Sequence, residues 1–157
     1  MPNTSPTVPA PFVAFNFSVE ITKAGDSARM CGAAFSECDG LEMTMEVKTI
    51  KEGGNNGQLV RLTGPVSYGQ LTLKRGMTAN FDLWEWFNAV VADPGLRANA
   101  EVVLLAGDGT TERARFLLRR CVPVKLEAPP MNAKDGMVAI EELQLAYESL
   151  SHKAPAQ

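Results

Sequence analysis

The chain has 157 residues, 45% of them apolar, and a formal net charge of −3. That length suits one domain with a sizeable core, and so small a negative charge argues against a duplex nucleic-acid binder, whose footprint is usually a basic patch. No apolar run approaches the roughly eighteen residues of a membrane span, so no membrane anchor is expected.

The opening stretch MPNTSPTVPAPFVAF lacks the basic start and apolar centre of a signal peptide. The expectation is a protein folded in a cytoplasm. Residues 1–11 hold four prolines and no periodicity, which predicts a flexible arm. Phe15, Phe17, Val19 and Ile21 then alternate with Asn16, Ser18 and Glu20, the pattern of a strand with an aromatic inner face. KAGDSAR reads as a turn, CGAAFSEC as a second strand and CDGL as another turn. Met43, Met45 and Val47 alternate with Thr44, Glu46 and Lys48 in a third strand. The segment KEGGNNGQLVRLTGP, Lys51 to Pro65, carries more glycine and asparagine than a compact hairpin needs and reads as a long loop. Loops of this length are usually functional or disordered. A strand over Gly69–Lys74 follows, with Leu71 and Leu73 on one face and Gln70 and Thr72 on the other.

One helix is predicted in TANFDLWEWFNAVVADPG. Thr78 or Asn80 caps it, Asp82 and Glu85 occupy its first turns, and Pro94-Gly95 stops it. Leu83, Trp84, Phe87, Val90 and Val91 form its packing face. AEVVLLAGDGTTERARFLLRRCV reads as a hairpin about the GDGT turn. In it Ala114, Phe116, Leu118 and Val122 point one way, and Arg113, Arg115 and Arg119 the other. PVKLEAPPMNAKDGM is a second long loop. VAIEELQLAYESL closes the domain as a strand with Leu143, Leu145 and Tyr147 on one side, although its glutamates would also support a helix. About seven antiparallel strands and one helix give a mainly β domain: a small β-barrel, or two packed sheets, with a helix on the side.

A catalytic constellation is not found. Cys31, Cys38 and Cys121 fit neither a disulfide framework nor a metal spacing, and read as buried or incidental thiols. The single histidine, His152, sits in the tail and reads as a solvated bystander. Glu141 and Glu142 are adjacent, so on a strand they face opposite sides. EGGNNG lacks the spacing of a phosphate cradle. Asp108 is better explained by a turn than by a metal, and Arg113, Arg115, Arg119 and Arg120 by a solvated strand face than by a specific site. No enzyme, no cofactor and no metal are expected.

The order FNFSVEI, FSECDGLEMTMEV, IKEGGNNGQLVRLTGPVSYGQLTLKRGMT, LWEWFNAVV, VVLL and VAIEELQLAYESL resembles the tail tube proteins of contractile phages. The likeness is greatest to the inner tube branch of extracellular contractile injection systems, related to the type VI secretion tube protein. It covers Phe12 to Leu150, and its most specific run is EGG, then SYGQ, then LTLKRG, then the tryptophan-bearing helix. The resemblance implies two orthogonally packed antiparallel sheets forming a small β-barrel with one flanking α-helix. It implies a tail tube domain over 12–150, with flexible segments over 1–11 and 151–157.

It further implies sixfold rings stacked into a hollow tube for payload delivery, inside a contractile sheath and between baseplate and tube-terminator proteins. No catalytic residues carry over. The loop of Lys51, Glu52, Gly53, Gly54, Asn55, Asn56, Gly57, Gln58, Leu59, Val60, Arg61 and Leu62 would reach a neighbouring subunit. Asn16, Ser18, Glu20, Thr44, Glu46, Lys48, Gln70 and Thr72, opposite the core face, are the candidates for the lumen. The other readings are a baseplate-proximal tube initiator, a type VI-like secreted ring protein and, from another class, a small-molecule-binding β-barrel. The particle would be assembled in the bacterial cytoplasm as a phage tail or tail-like machine that can be released.

Overall fold

A computed structural model describes residues 9–13, 16–54, 57–134 and 136–155. Phe15, Asn55 and Asn56 lie outside the described residues. The strands are β1 (Phe17–Lys23), β2 (Arg29–Ala33), β3 (Glu37–Asp39), β4 (Met43–Ile50), β5 (Val60–Tyr68) and β6 (Gln70–Gly76). They are followed by helix α1 (Asp82–Ala92) and strands β7 (Ala98–Leu105), β8 (Glu112–Glu127), β9 (Ile140–Ala146) and β10 (Ser149–Lys153).

The mainly β reading holds, and so does the antiparallel pairing. The main path runs β2-β1-β7-β8-β9-β6-β3, with β10 also paired to β8. Within this chain the path ends at β2 and β3, so the expected barrel stays open. The first half of β8 pairs with β7 and β10, and its second half with β9. One long strand thus belongs to two sheets. The inward parity changes where they meet: Ala114 and Leu118 are buried before the junction, and Cys121 and Pro123 after it. Arg120, at φ 54, makes the change. Val122 was expected on the face of Leu118. The extra residue absorbed at Arg120 rotates it away.

The core forms between the sheets. Val19 and Ile21 of β1, Ala98, Ala100 and Val102 of β7, Leu71 and Leu73 of β6, and Leu143 and Leu145 of β9 are all buried there. At about 25 cal/mol per Å² of apolar surface, these side chains supply the main drive for folding. Helix α1 closes one side against β8 and β2. Its buried residues are Leu83 and Trp86.

Three further expectations change. The second predicted strand divides into β2 and β3 around Ala34–Ser36. The segment after Leu150, read as a flexible tail, is a strand through Lys153, with Ser151, His152 and Lys153 opposite Leu117, Phe116 and Arg115. His152 is accordingly placed against Phe116, ring centroids 5.6 Å apart. Most consequentially, the loop Lys51–Pro65 is not a loop throughout: β5 begins at Val60 and pairs with β4. Gly64 and Pro65, which disguised the strand, sit at a bulge, where such residues are tolerated.

Candidate assembly surface

β4 and β5 form a two-stranded sheet of their own, apart from the main sheet path. They contact each other extensively and make no comparable contact with another element. At about 3.3 Å per residue, eight-residue β4 carries the hairpin tip roughly 26 Å from its base. The base is fixed. The Tyr147 hydroxyl donates to the Gly40 carbonyl at 2.7 Å and accepts from the Glu42 amide at 3.1 Å. Tyr68 packs on Tyr147 with centroids 5.7 Å apart. Gly40 has φ 105, and a Cβ there would lie 1.9 Å from the Gln70 carbonyl oxygen, so only glycine allows this approach.

Beyond the base, Met43, Met45, Val47, Ile50, Leu59, Val60, Leu62 and Val66 are exposed, Met43 by 61% and Leu62 by 45%. Their faces follow from the register. Met43 opposes Tyr68 and Met45 opposes Val66, but Val47 opposes Thr63. Between these pairs one β4 residue, Glu46, is therefore faced by two β5 residues, Gly64 and Pro65. The extra residue falls at Gly64-Pro65, and a Cβ on Gly64 would lie 2.7 Å from the Glu46 carbonyl oxygen. Below this bulge the apolar residues share the face of Met43 and Met45. Above it, Leu62 opposes Lys48 and Val60 opposes Ile50, on the opposite face. The apolar surface changes sides partway along the hairpin.

The expected intersubunit segment divides accordingly. Lys51, Glu52, Gly53, Gly54, Gly57, Gln58 and Leu59 lie exposed at the tip, while Val60, Arg61 and Leu62 belong to β5. Among the lumen candidates, Ser18 and Glu20 are exposed opposite buried Val19 and Ile21. Gln70 is exposed and Thr72 half-buried, opposite buried Leu71 and Leu73. Asn16 instead donates through its side-chain amide to the Ala106 carbonyl at 3.0 Å. Thr44, Glu46 and Lys48 share one face of the hairpin. In the strand order β1 and β6 are separated by β7, β8 and β9, and β4 lies in a sheet apart from both.

The helix face also shifts. Leu83, Trp86, Phe87 and Val90 follow the i, i+3, i+4, i+7 spacing of one stripe. Trp86 is buried although it was absent from the expected set, and Val91, beyond the stripe's edge, is 68% exposed. Trp84 lies half-buried at the other edge. Neither Thr78 nor Asn80 caps the helix in the ordinary way: the N-cap position is Phe81, without a side-chain bond. The Asn80 side-chain oxygen accepts from the Asp82 amide at 3.2 Å, and the Asp82 carboxylate from the Leu83 amide at 2.8 Å.

A buried ionic network was missed in the sequence. The Arg75 guanidinium donates from Nε to Glu141 at 2.5 Å and from Nη2 to Asp82 at 2.5 Å and to the Asn80 carbonyl at 3.1 Å. The other Glu141 oxygen accepts from the Trp84 indole at 3.0 Å. Arg75 and Glu141 are 3% and 1% exposed. Burial alone would lower the Arg75 pKa, but bonding to the two carboxylates outweighs it and raises the pKa. The group ties α1 to β6 and β9. A signal was available: Arg75 continues the Leu71-Leu73 row and Glu141 the Leu143-Leu145 row, and the two oppose each other in the ladder.

Several other titratable groups are bound up in the fold. Burial pushes the Cys31 and Cys121 thiols up to about 12 and Cys38 to about 11, so none is a ready nucleophile. The Asp108 carboxylate accepts from the Thr110 and Thr111 amides at 2.9 Å and from the Thr111 hydroxyl at 2.5 Å. These bonds hold its pKa well below the usual carboxylate range. Arg115 is paired with Glu101 and Glu112, and Arg120 with Glu148 at 2.8 Å, so two of the four arginines are neutralised within the chain. An open groove of about 460 Å³ lies between β3 and the β1-β7-β8 face, floored by Phe17, Leu41, Val102, Leu104 and Phe116 and rimmed by Glu37, Cys38 and Asp39. Among the described residues no helix is long and apolar enough to cross a membrane.

The profile of the T4-like virus tail tube protein gp19 family matches residues 13–151. No curated protein matches the sequence. A chain in the cryo-EM structure of the anti-feeding prophage baseplate is 26% identical, with a TM-score of 0.81 over 94% of this chain and 98% of that one. A chain of the sheath-tube complex of the extracellular contractile injection system PVC gives 0.77 at 19% identity, over 92% of each chain. Hcp1 from Flavobacterium johnsoniae gives 0.51 at 12% identity, over 87% of this chain and 95% of that one, a likeness of fold.

Proposed function

Because the chain belongs to the T4-like virus tail tube protein gp19 family, we propose that it is an inner tube subunit of a phage tail-like contractile injection system, forming stacked hexameric rings around a hollow lumen. The family is structural, and the chain is not an enzyme. The observation that carries the finer reading is the β4–β5 hairpin. An isolated two-stranded sheet is marginal in water, yet this one projects from the body with apolar residues on both faces. Contact with further copies would cover those residues and join the open ends of the main sheet.

In that setting the partners are other copies of the chain, a surrounding sheath, and baseplate and tube-terminator proteins, with payload passing through the lumen. The particle is assembled in the cytoplasm and acts outside the cell. The test is electron microscopy of native particles and of the concentrated protein. Six-fold rings stacked into a tube support the reading; particles without this chain in their tube, or a different ring symmetry, refute it.

A second reading, a baseplate-proximal tube subunit, is favoured by the likeness to a chain of the anti-feeding prophage baseplate. Counting copies per particle separates the two. A main tube subunit scales in number with tube length, whereas a baseplate-proximal one remains constant.

A further inference from the structure

We propose that the tip of the β4–β5 hairpin seats in the groove between β3 and the β1-β7-β8 face of a second copy of this chain. The inference rests on the tube-subunit reading and names the surface that the hairpin meets.

Three observations point there. First, the bulge at Gly64-Pro65 gathers Ile50, Val60 and Leu62 on one face at the tip, beside Lys48. Second, the groove has a matching chemistry: an apolar floor including Phe17, Val102, Leu104 and Phe116 and an acidic rim at Glu37 and Asp39. Glu37 already pairs with Lys74 at 3.3 Å. Among the described residues, neither Asp39 nor Lys48 belongs to an ion pair within the chain, so each is available to the other across an interface. Third, the tip cannot serve its own groove. Leu41 of the groove lies two residues before β4, while the tip lies about 26 Å along an extended strand. Folding back would break the ladder.

Seating three aliphatic side chains removes them and the groove floor from water together, the non-directional part of the affinity. The Lys48–Asp39 pair sets the register more than the strength, as rim charges generally do. Each copy donates one tip and accepts one. Such a contact is head-to-tail, and repeated head-to-tail contacts close into rings or continue as filaments.

Cross-linking to native Cys38 on the groove rim tests the contact. Ile50→Cys, Val60→Cys and Leu62→Cys are made singly in the full chain, and each is checked for the normal circular dichroism spectrum. Because burial pushes the Cys38 thiol up to about 11, a mono-maleimide first establishes by mass the alkaline pH at which Cys38 reacts in assembled tubes, and a short-arm bis-maleimide is then used at that pH. The expected result is a ladder of covalent oligomers on a denaturing gel, lost with Cys38→Ser and absent without the added cysteine. Tubes that form but give no Cys38-dependent ladder with any of the three overturn the proposal while leaving the tube reading intact. A Cys38-dependent link inside a single chain also overturns it. If the unmodified protein builds no ring or tube, the tube reading falls, and this inference with it. A charge exchange gives an independent measurement: Lys48→Glu should raise the concentration needed for tubes several-fold, and adding Asp39→Lys should restore it. Failure of that rescue counts against the register proposed here.

Discussion

Strands β4 and β6 carry almost the same pattern and meet opposite fates. Met43, Met45 and Val47 alternate with Thr44, Glu46 and Lys48, just as Leu71 and Leu73 alternate with Gln70, Thr72 and Lys74. Leu71 and Leu73 are 0% exposed, whereas Met45 is 50% exposed. The difference lies in what covers the apolar face. Leu71 and Leu73 of β6 join the core cluster with Val19, Ile21, Ala100, Leu83 and Trp86, whereas β4 has only β5 beside it. Alternation establishes a strand with one apolar face. It does not establish whether the cover comes from the same chain. The second case is the informative one, because an apolar face left open in the single chain marks an interaction site.

The largest effect is expected in the body. If the body is the self-sufficient half, its buried ion network must be strongly coupled to folding. Glu141→Ala leaves Arg75 with a buried, half-compensated charge and deprives the Trp84 indole of its acceptor. Removing one partner of such a pair typically costs about 3–5 kcal/mol. Chemical denaturation should show that loss, with the slope of the transition unchanged. A loss below about 1 kcal/mol, the surface range, would mean the network is not the clamp that holds α1 to β6 and β9.

The same contrast explains what was legible in the sequence. The body's strands and the Asp108-Gly109 hairpin were readable because local alternation and turn chemistry specify them. So was the existence of α1. Trp86 was missed and Val91 overcounted because the stripe's centre depends on how the helix is rotated against β8, a tertiary fact. The parity change at Arg120 was hidden because a non-glycine residue makes it. β5 was hidden by Gly64 and Pro65, poor strand formers that mark a bulge. β10 was hidden because Ser149–Lys153 does not alternate; it is a strand because β8 offers an edge to it. Arg75 and Glu141 each looked like one more surface charge, being 66 positions apart in the chain. Of the assembly surface, the segment was legible and its two-faced geometry was not, since one bulge decides which side each apolar residue takes.

The body should also respond to pH, and the hairpin, which holds no cysteine, should not respond through thiols. The body holds Cys31 and Cys121, whose thiols are raised from 9.0 to about 12 by burial. A group with a raised folded-state pKa contributes stability that is complete below its unfolded value and is lost as pH rises through the folded value. Subunit stability should therefore decline between about pH 9 and 12, by less than about 1.4 kcal/mol per pH unit for each thiol. Cys31→Ala should flatten that slope, whatever it does to stability at neutral pH. The measurement is the denaturation midpoint as a function of pH in wild type and variant. An unchanged slope would mean that the thiols ionise in the folded body and that it is looser than its packing indicates.

The smallest effect on folding belongs to the hairpin tip, and it is the most discriminating. Val60→Ser with Leu62→Ser removes two exposed apolar side chains from β5, a strand whose main contacts are with β4 and not with the body. Surface changes of this kind usually move stability by no more than about 0.5 kcal/mol, so the melting curve of the isolated subunit should barely shift. In the assembled state the same two side chains would be buried against a neighbour, where truncating an aliphatic group costs far more. The variant should therefore remain a folded, soluble subunit and fail to build tubes in micrographs. Shortening the tip by removing Gly57 and Gln58 should act in the same direction, through reach rather than apolarity. Should the serine variant unfold, the hairpin would be part of the subunit's own core. Should it build tubes of normal length and stability, the exposed tip would be incidental. Only a folded subunit without tubes keeps the distinction between a body that folds alone and a hairpin completed by another copy.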